Sequence, residues 1–175
     1  MKIYLVGFMG CGKSTLGRKL SNLIKAPFYD LDAVVEKQTG MSVSEIFDTL
    51  GEPGFRDIES LYLKGLTSET TSVISCGGGT PCYSDNMEFM NNTGLTIYIK
   101  IPAEIIASRL FHSENKRPLL PYHSRDILND HVTRMLELRE KHYSKAQLIV
   151  EGINLSPDDL KQFIDMHINR KAKKE

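Results

Sequence analysis

Gly7-Phe8-Met9-Gly10-Cys11-Gly12-Lys13-Ser14 fits the pattern G-x-x-x-x-G-K-[ST], and its flanks put it where such a loop can work. Before it, Ile3-Tyr4-Leu5-Val6 reads as a short buried strand of β-branched and aromatic residues. After it, Leu16, Leu20, Leu23 and Ile24 recur at the spacing of an amphipathic helix. Glycines let the backbone approach an anion, and successive N–H groups with the helix N-terminus supply positive potential. Lys13 is expected to reach the β- and γ-phosphates of a nucleoside triphosphate, and the Ser14 hydroxyl to ligate Mg²⁺. The stretch therefore predicts strand, phosphate loop and helix in that order.

Outward from the loop, strands and helices alternate. Strands are predicted over 2–6, 28–30, 72–75, 95–100 and 148–151. Helices are predicted over 13–25, 32–39, 43–50, 54–68, 84–91, 103–110, 125–142 and 156–169. Such alternation implies an α/β fold, a parallel sheet covered by helices on both faces, with ligands at the carboxyl ends of the strands. The last helix is well signalled: Ser156 suits the N-cap, Pro157 the first helical position, and Asp158 and Asp159 complement the dipole. Its stripe is Leu160, Phe163, Ile164 and Ile168. Segment 111–124, polar and holding Asn115, Lys116, Arg117 and two prolines, resolves into no element. A mobile lid is the natural expectation for a connection of that length in a phosphate-binding fold.

The totals narrow the setting. At 175 residues the chain fits a single domain, 1–175, with a full-sized core. A formal net charge of zero argues against nucleic-acid and anionic-membrane partners, where a basic excess is expected. The basic run from Arg170 to Lys174 reads as a solvated helix end. Cys11, Cys76 and Cys82 are odd in number and show no C-x-x-C spacing, which suits a reducing compartment. No apolar run approaches the ~18 residues that span a bilayer, and the first strand leaves no room for a signal peptide. The expectation is a cytoplasmic monomer.

Several residues could carry chemistry. Asp30 and Asp32 stand two apart at the end of the second strand, a spacing that aims both carboxylates one way. Asp32 is also a candidate N-cap. The third strand runs into Cys76 and glycines, so no Walker-B aspartate follows it, and Asp30 is the remaining candidate for Mg²⁺, through water. Gly77-Gly78-Gly79 at a strand's carboxyl end suggests either close backbone approach to a ligand or a flexible turn. Arg139 continues the inward stripe of Leu128, Val132, Met135 and Leu136, and an inward guanidinium needs an anion. A structural carboxylate or a ligand would both serve. Arg56 could pair with Glu59 on an exposed helix face. Arg117, in the expected lid, could close over a triphosphate. Arg109 could be only a solvated helix end. The histidines form no metal-like grouping.

Taken jointly, these pieces resemble the shikimate kinase family, P-loop kinases of the nucleoside-monophosphate-kinase type. Residues 7–15 resemble the family's G-F-M-G-x-G-K-S/T-T opening, and Asp30-Leu31-Asp32 its D-x-D segment. Ile46-Phe47 followed by Gly51-Glu52-Pro53-Gly54-Phe55-Arg56-Asp57-Ile58-Glu59 resembles its I-F…G-E-x-x-F-R-x-x-E signature. Gly77-Gly78-Gly79 stands at its triple glycine, Arg117-Pro118-Leu119-Leu120 at its lid, and Arg139 with Tyr143 at its late R-x-x-x-Y. The resemblance implies a three-layer α/β/α fold with a five-stranded parallel sheet, shikimate-binding helices across about 32–60 and a lid across 111–124. It implies phosphorylation of the 3-hydroxyl of shikimate by ATP with Mg²⁺, a step toward chorismate and aromatic amino acids. Lys13, Asp32 and Arg117 would be catalytic. Gly10, Cys11, Gly12, Lys13, Ser14, Thr15, Arg109 and Arg117 would bind ATP, with Arg109 on the adenine. Asp32, Arg56, Gly77, Gly78, Gly79 and Arg139 would hold shikimate, the two arginines on its carboxylate. Ser14 and Asp30 would serve the metal. The rivals are a gluconate-type kinase of the same fold, a GTPase, for which no N-K-x-D motif is present, and a silent nucleotide-binding module.

Overall fold

Strand β1 (Lys2–Val6) is buried on both sides, as a central parallel strand must be. Ile3 and Leu5 belong to one core cluster and Tyr4 and Val6 to another, because successive side chains of a strand leave by opposite faces. The computed structural model describes residues 1–66, 71–113 and 124–173. Within them β2 (Phe28–Asp30), β3 (Ser72–Ser75), β4 (Gly94–Lys100) and β5 (Leu148–Glu151) join β1 in a five-stranded sheet of order β2-β3-β1-β4-β5. Every pairing is parallel. β1 thus lies between β3 and β4, and the chain leaves it in opposite directions on its two sides. A crevice opens at such a point, at the strands' carboxyl ends.

Helices fill both outer layers. α1 (Lys13–Leu23), α5 (Ala103–Phe111), α6 (Arg125–Tyr143) and α7 (Pro157–Ala172) pack Leu20, Ile106, Val132 and Leu160 around Ile3 and Leu5. α2 (Leu31–Thr39), α3 (Val43–Gly65) and α4 (Asn86–Thr93) bring Leu31, Leu63 and Met90 to Tyr4 and Val6 on the other side. Tyr143, at the end of α6, joins this second cluster. Leu20 and Leu160 have no exposed surface, and truncating either to alanine should cost about 2–5 kcal/mol.

The boundaries differ from the sequence reading where a local backbone feature outranks periodicity. Helix 13–25 stops at Leu23, because Lys25 takes a left-handed conformation, φ 53°. α2 starts at Leu31, which leaves Asp30 at the N-cap without a side-chain capping bond and moves Asp32 into the first turn. The N-cap reading of Asp32 is thereby replaced. Helices 43–50 and 54–68 run together as α3, with a break at Gly51 (φ 69°, ψ −179°). A turn at Thr80–Cys82 follows the triple glycine, and α4 begins at Asn86, later than expected, after Ser84 at φ 48°. Residues 67–70, and 114–123 with Arg117 and most of the expected lid, lie outside the described residues.

Candidate active site

The glycine loop owes its shape to three positive φ angles, 141° at Gly7, 80° at Gly10 and 98° at Gly12. A side chain at Gly7 would start 2.8 Å from the Ile99 carbonyl oxygen, so the loop presses directly on β4. Lys13 is only 7% exposed. Its Nζ donates to the carbonyls of Gly7 at 2.8 Å and Phe8 at 2.9 Å, which holds the ammonium over the loop. Ser14 Oγ donates to Asp30 Oδ2 at 2.5 Å and lies 3.1 Å from Ser75 Oγ. Sheet register explains the meeting, since Asp30 of β2 sits opposite Ser75 of β3. Arg109, in the last turn of α5, reaches back so that Nη1 donates to the carbonyls of Gly10 and Cys11, each at 3.4 Å. It is therefore more than a solvated helix end.

A cleft of about 1080 Å³ runs from this loop past Asp30, Asp32, Arg56, the triple glycine and Arg139. Asn154 to Pro157 also line it, just where Ser156 and Asp159 form a capping box on α7. At the far end Phe47 and Phe55 stack with centroids 4.6 Å apart and line the wall. Asp32 Oδ1 lies 3.3 Å from where a Gly77 side chain would begin.

The two arginines proposed from the sequence, Arg56 and Arg139, are held differently. Arg56 Nη1 donates to Glu59 Oε2 at 2.7 Å, and Nη2 lies 3.3 Å from Glu52 Oε1. Glu59 has no exposed surface, so this pair is internal rather than on the exposed face that helical spacing suggested. Burial alone disfavours charge on Arg56, but Glu59 and Glu52 outweigh it and raise the guanidinium pKa. Burial raises the Glu59 carboxyl pKa, with Arg56 and a 2.5 Å bond from the Thr80 hydroxyl opposing. Gly79 is glycine because the Arg56 guanidinium occupies the space of a side chain there.

Arg139 has its Cζ 5.2 Å from the centroid of the Phe8 ring, a cation–π contact. Its Nη1 is buried with no hydrogen-bond partner among the described residues. A guanidinium donor so placed is an opening for an anion. The anion that the inward stripe demanded is thus not supplied to that nitrogen by the described residues.

The fold gathers Lys13, Ser14, Asp30, Asp32, Arg56, Gly77, Gly78, Gly79, Arg109 and Arg139 around one cleft. Arg117 lies outside the described residues. Sequence reasoning gave no role to Ser75, which becomes a neighbour of Ser14 only through strand register, nor to the Phe8 ring. Thr80 was likewise missed, although Glu59, three residues after Arg56, was a visible helical partner.

A family model described as shikimate kinase matches residues 9–168. The shikimate kinase of Bacteroides thetaiotaomicron is 40% identical over 155 residues, covering 89% of each chain. That of Aquifex aeolicus is 42% identical over 152 residues, covering 87% of each. The solved structure of shikimate kinase from Acinetobacter baumannii in complex with shikimate superposes with a TM-score of 0.85 at 34% identity, covering 97% of this chain and 93% of that one.

Proposed function

This chain belongs to the shikimate kinase family, and from that premise we infer that it transfers the γ-phosphoryl group of ATP to the 3-hydroxyl of shikimate, giving shikimate 3-phosphate and ADP. The observation that carries the acceptor is Arg139, whose buried Nη1 has no hydrogen-bond partner among the described residues and whose guanidinium stands beside Gly78 and the Phe8 ring. A planar guanidinium suits a carboxylate, and shikimate is a carboxylate bearing three hydroxyls.

Each end of the cleft has its task. The loop amides and Lys13 bind the β- and γ-phosphates, with Lys13 exchanging its carbonyl partners for phosphate oxygens. Gly10, Cys11, Gly12 and Thr15 cradle the nucleotide, and Arg109 with the 154–157 segment flanks the base. Arg139 takes the acceptor carboxylate together with Arg56, which Glu59 and Glu52 orient. Asp32, beside Gly77, orients the 3-hydroxyl and accepts its proton as the phosphoryl group arrives. In phosphoryl transfer positioning outweighs basicity. Mg²⁺, when bound with the nucleotide, neutralises charge on the phosphate oxygens. Ser14 Oγ and Asp30, which meet at 2.5 Å, would hold it, Asp30 through water. Arg117 keeps its transition-state role from the family motif alone, in a lid across 111–124 that excludes water. Three free cysteines, two of them buried, suit a reducing compartment, and we place the enzyme in the cytoplasm as a single-domain monomer.

A coupled assay of ADP release with shikimate, gluconate or no acceptor, with and without EDTA, tests this reading. Turnover that needs both shikimate and Mg²⁺ is expected. Equal ADP release without an acceptor, or with gluconate, would refute the assignment.

A further inference from the structure

The late R-x-x-x-Y pattern leaves Tyr143 without a chemical task, although it is buried and bonded to the triple glycine. Tyr143 has no exposed surface, and its hydroxyl donates to the Gly78 carbonyl at 2.5 Å. Gly78 is the middle residue of the triple glycine. A side chain there would begin 3.1 Å from the Met9 backbone nitrogen and 3.4 Å from Arg139 Nη1. The glycine turn is therefore wedged between the phosphate loop and the Arg139 guanidinium.

Arg139 and Tyr143 are four residues apart on α6, so they share one face of the helix. One supplies the open donor, and the other grips the turn beside that donor. We propose that Tyr143 is a positioning residue: its hydroxyl locks the Gly78 turn to α6, fixing the separation between the glycine-turn backbone and the Arg139 guanidinium, and so the fit of the acceptor carboxylate. This role presupposes that Arg139 and Gly78 bind the acceptor, as proposed above.

The surroundings suit a fixed donor. The Tyr143 ring packs against Tyr98 with centroids 5.1 Å apart. Tyr98 is anchored in turn, its hydroxyl donating to Glu140 Oε2 at 2.8 Å, while Lys100 Nζ donates to Glu140 Oε1 at 2.6 Å. Burial pushes the Tyr143 phenol pKa well above its ordinary value, with the neighbouring Arg139 guanidinium opposing through its charge and a hydrogen bond, so the hydroxyl keeps its proton throughout the working range of pH and also steadies Arg139 directly.

Tyr143→Phe keeps the ring and deletes only the hydroxyl. Calorimetry should find the Kd for shikimate raised about tenfold, the effect of one lost hydrogen bond, with the Kd for ATP nearly unchanged. Tyr98→Phe removes a neighbouring hydroxyl whose partner is Glu140, and should raise the shikimate Kd far less than Tyr143→Phe does, with the Kd for ATP unchanged. An unchanged shikimate Kd in Tyr143→Phe, or an equal rise in Tyr98→Phe, overturns the proposal. If Tyr143→Phe does not fold, 3-fluorotyrosine at position 143 changes donor strength with the core intact. A shikimate Kd moved about twofold, with ATP unaffected, then supports the lock, and an unmoved one overturns it. Arg139→Lys belongs in the same series. If it too leaves the shikimate Kd unchanged, the reading of the site fails; if only the position-143 variants are silent, the site stands and the lock alone falls.

Discussion

The phosphate end of the cleft and its acceptor end are built on opposite terms. At the phosphate end the cation and the hydroxyl are engaged within the protein: Lys13 on the carbonyls of Gly7 and Phe8, Ser14 on Asp30. At the acceptor end one guanidinium nitrogen of Arg139 is buried without a hydrogen-bond partner among the described residues, while Arg56 is tied to Glu59 and Glu52. A ligand at the first end exchanges one set of bonds for another. A ligand at the second fills a need that the folded chain carries by itself. Buried donors left open are uncommon because each costs about 1–3 kcal/mol, so their position is informative in a way that a satisfied lysine is not.

Three substitutions probe the contrast. The largest effect is expected for Lys13→Ala, which removes the one side-chain cation of the loop: kcat should fall by about 10²–10³-fold or more, and near-normal turnover would erase the phosphate end as described. Arg139→Lys comes next. An ammonium cannot reproduce the fork, so the Kd for shikimate should rise by about ten- to a hundredfold while ATP affinity holds. Parallel losses for both ligands would mean that the two ends are not separable.

The smallest effect is expected at Asp159, whose capping box with Ser156 steadies the 154–157 wall. Hydrogen bonds from the Ser156 side chain and backbone hold the Asp159 carboxyl below its ordinary pKa. A depressed carboxyl contributes stability above its unfolded-state pKa and loses it as pH falls through the folded value. Asp159→Asn should therefore melt slightly earlier than the parent at neutral pH, with the gap closing in acid, and should raise the KM for ATP by about twofold at most. A gap that widens in acid would contradict the assigned bond.

Much of this is legible in the order of residues. The phosphate loop is a local motif between a strand and a helix, and its chemistry is written in eight consecutive residues. The inward course of Arg139 follows from helical spacing on α6. What the order of residues withheld depends on non-local geometry. Ser75 meets Ser14 because β2 and β3 pair in one register and not another. Phe8 lies under Arg139 because two segments 131 positions apart cross at the carboxyl end of the sheet. Helices 43–50 and 54–68 ran together because the chain resumes helical geometry immediately after Gly51, which no hydrophobic count reveals. Asp32 lost its capping role for a smaller reason, a helix start displaced by one residue.

Phe8 connects the two halves. Its carbonyl accepts from Lys13 and its ring supports Arg139, so a single residue touches the cations proposed for both substrates through different parts of itself. Its backbone carbonyl would survive a substitution there, but a different side chain would take the ring from Arg139. The freedom to diversify therefore lies on the opposite wall, with Phe47 and Phe55, where a change in side-chain volume reshapes the cavity and leaves the phosphorylating machinery alone.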